Sequence, residues 1–191
     1  MTSTVSTSID DLTHLRQDLS HRTGRGLNAI VAGIVLWSTF TVLGVVLSDS
    51  FVLALAYVFG AGALFPLSLL VAKFLKLDPF ASGNPLGTLA GLLGAVQVLF
   101  IPLMIGAVLA VPTMVPWFLA VLVGAHFLPF SWVYSSRAYL IAAISMPVAA
   151  GSYAWLLPAS VPIVVPAAVT AILILVAVLL SRENAKTRNA Q

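Results

Sequence analysis

The sequence predicts an all-α fold: a polytopic membrane helix bundle of six transmembrane helices with both ends in the cytoplasm (N-in/C-in). Three observations predict it: long apolar runs, no polar alternation within them, and basic residues that gather on one side. Of the 191 residues, 60% are hydrophobic and only 8% charged, whereas a soluble domain is about a quarter charged. Mean hydropathy is +1.08. The apolar residues arrive in runs of about 20, enough to cross a hydrocarbon core of roughly 30 Å at about 1.5 Å per residue. In lipid the backbone must satisfy its own hydrogen bonds, which leaves helices or a closed barrel. Barrel strands would alternate apolar and polar residues, and these runs do not.

The chain divides into an N-terminal cytoplasmic tail (1–26), a transmembrane domain (27–181) and a C-terminal cytoplasmic tail (182–191). The N-terminal tail is polar, and no cleavable signal pattern follows it, so the first apolar run is expected to remain as a span. Within the tail, Ile9, Leu12, Leu15 and Leu19 share roughly one face of a short amphipathic helix over Ser8–Arg22, and Ser8 with Asp11 imitates a capping pair. That helix could lie on the inner leaflet or dock a partner, with Arg16, Arg22 and Arg25 toward anionic lipid. The plainer reading is a loosely ordered tail whose basic end sets topology.

The six spans are read as Leu27–Leu47, Phe51–Ala72, Leu86–Ala110, Pro116–Tyr134, Ala138–Leu157 and Ile163–Leu180. Short connections make sequence neighbours pack as antiparallel hairpins. The basic residues are Arg16, Arg22, Arg25, Lys73, Lys76, Arg137, Arg182, Lys186 and Arg188. With six spans all of them fall on one side, which the positive-inside rule makes the cytoplasm. Aromatics agree, with Trp117, Tyr153 and Trp155 near the outer interface and Trp132, Tyr134 and Tyr139 near the inner one. No internal repeat is recognisable beyond hydrophobicity.

The third span opens with Gly83, Gly87 and Gly91, then Gly94 and Ala95. Such a small-residue stripe lets a neighbouring helix approach closely in lipid, which predicts a central third span. Pro66, Pro102, Pro129 and Pro147 lie inside spans and are expected to kink them. Asn84-Pro85 resembles half of the aquaporin Asn-Pro-Ala signature. Aquaporins carry two such motifs on re-entrant half-helices, and this chain has one. An N-cap followed by a proline at the first helical position explains the pair better.

His126 is the one strongly ionisable residue deep within a span, about 12 Å above the inner edge at the helical rise. By the same rise Gln97 lies at about 16 Å and Thr39 at about 18 Å. His126, Gln97, Ser38, Thr39 and Thr41, with Ser145 at the lower edge, therefore form a candidate polar layer. Imidazole can give and take a proton near neutral pH, which suits proton coupling or ligand binding. The alternative is a neutral histidine bonded to Gln97 or to a carbonyl freed by a proline. From His126 the stretch to Arg137 runs down to the inner surface. Tyr134 and Arg137 could close an inner gate or hold an anionic headgroup, or belong to the aromatic belt and its topology charges.

Several classes are set aside. No carboxylate lies in a span, so acid/base pairs and carboxylate-bridged metals lack ligands. There is no Gly-x-Ser-x-Gly elbow and no His-Glu-x-x-His helix. Two of the three histidines, His14 and His21, lie in the tail, which disfavours a His₃ site. Cysteine is absent. No catalysis, cofactor, metal or nucleic-acid partner is expected.

The His126-x-x-Pro129-Phe130 segment and the Gly83-Asn84-Pro85 entry to the third span resemble motifs of small, uncharacterised six-span bacterial inner-membrane proteins. That resemblance implies a bacterial cytoplasmic (inner) membrane location, covers about a third of the chain and brings no established activity. The leading functional reading is transport or a channel for a small neutral or protonatable solute, with His126 as proton-sensitive ligand and Gln97 as its partner. The alternative is a non-transporting membrane module that binds a partner protein or lipid through its basic inner surface. Either could be a homo-oligomer, since Ala167, Ala168 and Ala171 offer a close-packing face on the sixth span.

Overall fold

A computed structural model of the chain describes residues 2–189, with side chains from 11 to 187. The side chains of Ser8, Ile9 and Arg188 lie outside the described residues. Among the described residues the fold is entirely helical: α1 (Thr2–Thr23), α2 (Leu27–Val46), α3 (Ser50–Gly62), α4 (Leu64–Leu75), α5 (Pro85–Ala95), α6 (Ile101–Ala110), α7 (Val115–Val133), α8 (Arg137–Leu156) and α9 (Val161–Asn189). Helix starts are set by local chemistry. The Asp49 carboxylate accepts from the amides of Phe51 and Val52 to open α3, and Ser136 caps α8 through the Ala138 amide. Asn84 accepts from the Leu86 amide at 2.9 Å with Pro85 at the first helical position, as the Asn-Pro pair predicts. The last helix runs on through 182–189, so this tail segment continues α9.

Five helical stretches are long and apolar enough to cross a membrane, and a sixth exists if α3 and α4 count as one span bent by 45°. Pro66 explains the bend. It has no amide to bond the Gly62 carbonyl, and its ring crowds that same carbonyl. Pro102 has a parallel effect in the third apolar stretch. There α5 and α6 are joined by a 3₁₀ segment, Val96–Phe100, which tightens the helix just before the proline. Pro129 and Pro147 sit inside α7 and α8, and Pro166 inside α9.

The centre of the bundle is formed by α2, α7, α8 and α9, with the first and last apolar helices packed on each other. On α9 the buried row Val161, Val165, Val169, Leu173, Val176, Leu180 follows one helical face. It meets α2, where a Cβ on Gly33 would stand 3.2 Å from Leu173. On α8 the small residues Ala138, Ala142 and Ala150 are buried with Met146. There α7 comes so close that a Cβ on Gly124 would stand 2.6 Å from Pro147.

The third apolar stretch is peripheral, which corrects the expectation that its glycines make it central. Leu92, Val98 and Leu99 are exposed, and a Cβ at Gly91 or Gly94 would meet nothing within 4 Å. Gly87 is the member of the stripe that is approached, and what approaches it is the Phe80 carbonyl of the preceding loop. A small residue thus marks a close backbone contact without saying whether a helix or a loop makes it. Large apolar side chains are exposed around the bundle, including Phe59, Phe74, Leu109 and Trp155. Such a surface is compatible with helices that face lipid.

Candidate functional site

Two polar regions compete for attention, one within the apolar spans and one at the basic end of the bundle. Within the spans, His126 lies on α7 with its ring 5.4 Å from Phe127 and 5.0 Å from Phe130. Both ring nitrogens are buried without a hydrogen bond of good geometry, the Val123 carbonyl being an acceptor that interacts with the ring; Gln97 Nε2 and Ser145 Oγ are buried with no partner. Gln97 is in the 3₁₀ segment, which packs against α7, and Ser145 is on α8, which also packs against α7. The three therefore sit on adjoining elements. Ser38 and Thr39 are on α2, which packs chiefly on α9 and α4. The Thr39 hydroxyl is exposed and donates to the Val35 carbonyl, and Thr41 donates likewise to Trp37. Threonine satisfying itself one turn back is a local helical habit and brings no group to His126.

From His126 an aromatic column descends toward the basic end. Phe127 stacks edge-on against Tyr139 at 5.5 Å, and Phe130 lies 5.7 Å from Tyr134 and 5.8 Å from Tyr139. The Tyr139 hydroxyl donates to the Arg25 carbonyl at 2.8 Å. Tyr134 is buried at the foot of this column, whereas Arg137 is exposed at the start of α8.

At the basic end, α1 does not continue α2. Gly24, Arg25 and Gly26 all take left-handed backbone angles (φ +57°, +54° and +70°), which turns the chain sharply between the two helices. A side chain at Gly26 would collide with the Tyr139 hydroxyl, 2.8 Å from its Cβ. The apolar face of α1 packs on the core: Leu19 is fully buried, with Leu12 and Leu15 against it.

Polar side chains then tie α1 to segments far away in sequence. Arg22 bonds the Asp78 carboxylate at 2.5 Å and the Ser82 carbonyl at 3.0 Å. Asn84, besides capping α5, donates to the Leu15 carbonyl at 2.9 Å and to the Asp18 carboxylate at 2.8 Å. Ser20 donates to the Tyr134 carbonyl. Arg16 donates to the Trp132 carbonyl and lies over the Trp132 ring, 4.7 Å from its centroid.

The Gly-Arg-Gly link is pinned from the opposite side by α9. Arg25 donates to Asn184 at 2.5 Å and to Thr187 at 3.1 Å, with Glu183 at 3.9 Å, while Asn184 donates to the Gly24 carbonyl. Sequence reading missed this network. Its one local signal was an arginine between two glycines, a place where the backbone is freed so that a charge can be turned inward. The Asp78 carboxyl is held below its usual range by the hydrogen bond from Arg22, helped by the amides of Phe80 and Ala81.

A cavity of about 500 Å³ opens beside α1, lined by residues of α1, the end of α7 and the end of α9. A second, of about 550 Å³, lies between α7 and α8 near Trp117 and Trp155. Neither is lined by His126, Gln97 or Ser145. Among the described residues no three His, Asp or Glu side chains converge as a metal site requires.

These features define a class: an all-helical bundle with five or six helices fit to cross a membrane, clasped at its basic end by an amphipathic N-terminal helix. The chain belongs to DUF7010, a family of unknown function whose model matches residues 12–183. No curated protein and no solved structure matches it.

Proposed function

We propose that the chain is a multi-pass protein of a bacterial cytoplasmic membrane, crossing six times with α3–α4 as one bent span and both termini inside. Its work is done at the inner face, as a non-catalytic module that binds a lipid or partner there. One observation carries this reading. The N-terminal helix is fixed by side-chain bonds to the second loop and to the end of α7, its glycine link is fixed to α9, and a polar cavity adjoins it. A tail that only set topology would need none of these bonds. The basic residues on the same side supply attraction for anionic surfaces.

The reading is tested with a photo-crosslinking amino acid at Gln17, which is exposed on α1 and lines the cavity. In cell membranes a discrete lipid or protein adduct is expected, and it should disappear when Arg22→Ala with Asn84→Ala undocks α1. An adduct pattern no different from that of a probe at Ser48, on the opposite side, sinks the proposal.

A second reading keeps transport of a small neutral or protonatable solute. It is favoured by the unbonded His126, Gln97 and Ser145 atoms beside the 3₁₀ break, since irregular backbone and unpaired polar groups at membrane depth accompany transport sites. Reconstituted His126→Ala and His126→Gln should then each change pH-dependent flux; unchanged flux in both removes this reading. Self-association is compatible with either, because Ala167 and Ala171 face outward on α9.

A further inference from the structure

We propose that the cavity beside α1 is a binding site for a phosphorylated organic anion, a phosphate ester with a polar head of glycerol size. The proposal rests on the inner-face reading above and gives it a ligand class. The cavity volume, about 500 Å³, falls within the range of small-molecule sites, roughly 300–1,000 Å³. Its lining is cationic and hydroxylated, with Arg16, Arg25, His14, His21, Ser20 and Ser135 contributing.

The charges in that lining are not equivalent. Arg25 uses its two terminal nitrogens on Asn184 and Thr187, and its Nε faces the Glu183 carboxylate at 3.9 Å, so its charge is already countered within the chain. Asp18 is the one carboxylate in the lining, and it is engaged by Asn84 at 2.8 Å and Arg22 at 3.6 Å. Its charge is thereby compensated from the second-loop side. Arg16 is different. Its guanidinium is fixed by the Trp132 carbonyl and ring, and among the described residues it is paired with no carboxylate, unlike Arg22 and Arg25. An immobilised guanidinium without a counter-charge is left to attract one from outside the chain. An anion is the natural acceptor for a guanidinium.

The arrangement also sets the length of the ligand. His14 and His21 are seven residues apart on α1, about 10 Å along the axis, and Gln17 stands between them. A single phosphate group cannot span that row, whereas a phosphate ester with its polar head can. Phosphate offers oxygens in several directions, which suits donors converging from α1 on one side and from Ser135 beyond α7 on the other. Trp132 and Tyr134, at the end of α7, place the cavity at headgroup level. The same chemistry could be presented by an anionic lipid or by a soluble phosphate ester.

The test uses the full-length protein in a neutral detergent, titrated at low and high salt with three probes: glycerol 3-phosphate, dihexanoyl phosphatidic acid and dihexanoylglycerol. Binding is read as saturable thermal stabilisation and by native mass spectrometry. At least one phosphorylated probe should bind saturably, and more weakly at high salt. Binding of the lipid probe alone assigns a membrane lipid, and equal binding of glycerol 3-phosphate assigns a soluble ester. Arg16→Gln should weaken binding at least tenfold.

Because Arg16 also holds Trp132, the double variant His14→Ala/His21→Ala is the second arm. These side chains are exposed, and a loss of about tenfold is expected. Hydrogen exchange of α1 amides reports whether the helix stays docked. The proposal is overturned if neither phosphorylated probe binds, if dihexanoylglycerol binds equally well, or if the docked double variant binds like the unaltered chain. Persistence of the Gln17 adduct in any of those cases leaves the inner-face reading standing, so the two fail separately.

Discussion

The basic end of the bundle and the polar layer around His126 are built in opposite ways. At the basic end, side chains separated by as many as 162 residues in sequence are bonded to one another, and the carboxylates Asp18, Asp78 and Glu183 each face an arginine. In the spans, His126, Gln97 and Ser145 are brought to adjoining elements and left unbonded. The first pattern is that of a structure held in one conformation by polar contacts, although Arg16 Nε, Arg25 Nε and one Glu183 oxygen are buried there without a hydrogen bond. The second stores unsatisfied groups that a ligand, a water or a rearranged helix could use. Bonded polar groups therefore specify the fold here, and unbonded ones mark where the fold tolerates cost.

The sharpest way to break the bonded end is Gly26→Val. The residue sits at φ +70° with Tyr139 Oη 2.8 Å from its would-be Cβ. Left-handed backbone costs a β-branched residue roughly 1–2 kcal/mol or more, and overpacking adds about 1–3 kcal/mol. A loss of about 2–5 kcal/mol in detergent stability is expected, together with loss of α1 protection in hydrogen exchange. Retention of both would mean that the link is not the hinge on which the basic end is fixed.

The unbonded layer should respond in the other direction. His126→Leu replaces buried ring nitrogens that lack a well-formed hydrogen bond with an apolar side chain among Phe127 and Phe130. Removing an unsatisfied buried polar group gains about 1–3 kcal/mol, so the melting temperature should rise or hold. A clear fall would show that the ring has a partner and that the contrast between the two regions is false.

The two regions also differed in how readable they were. Run length and the positions of Pro66 and Pro102 announced the apolar helices and two of their breaks, because a missing amide acts locally. Residue counting along single helices suggested grouping His126, Gln97 and Ser145, which fall on adjoining elements. That Ser38 and Thr39 lie on α2, away from α7, depends on rotation about the helix axis and on which helices are neighbours, and neither was written locally. Periodicity of Leu12, Leu15 and Leu19 announced an amphipathic α1. Its polar ties to Asp78 and Asn84 are 56 and 66 residues distant and had no local sign. The glycine stripe misled because Gly87 makes room for a loop carbonyl, not for a helix.

The smallest effect tests the clasp by charge alone. Asp78 accepts from the amides of Phe80 and Ala81 through one oxygen and from Arg22 through the other. Asp78→Asn keeps the shape of that turn and removes the ion pair. Because the Asp78 carboxyl is held below its usual range in the docked chain, its contribution is present in full above the ordinary carboxylate pKa, about 3.9. It is lost as pH falls through the lower, docked value. Hydrogen exchange of α1, followed from pH 7 to 3, should show loosening below about pH 4 in the unaltered chain. In Asp78→Asn, α1 should be modestly looser at every pH, with a smaller acid step. An acid step of full size in that variant would place the sensitivity elsewhere and reduce the Arg22–Asp78 pair to an exposed ion pair of little weight.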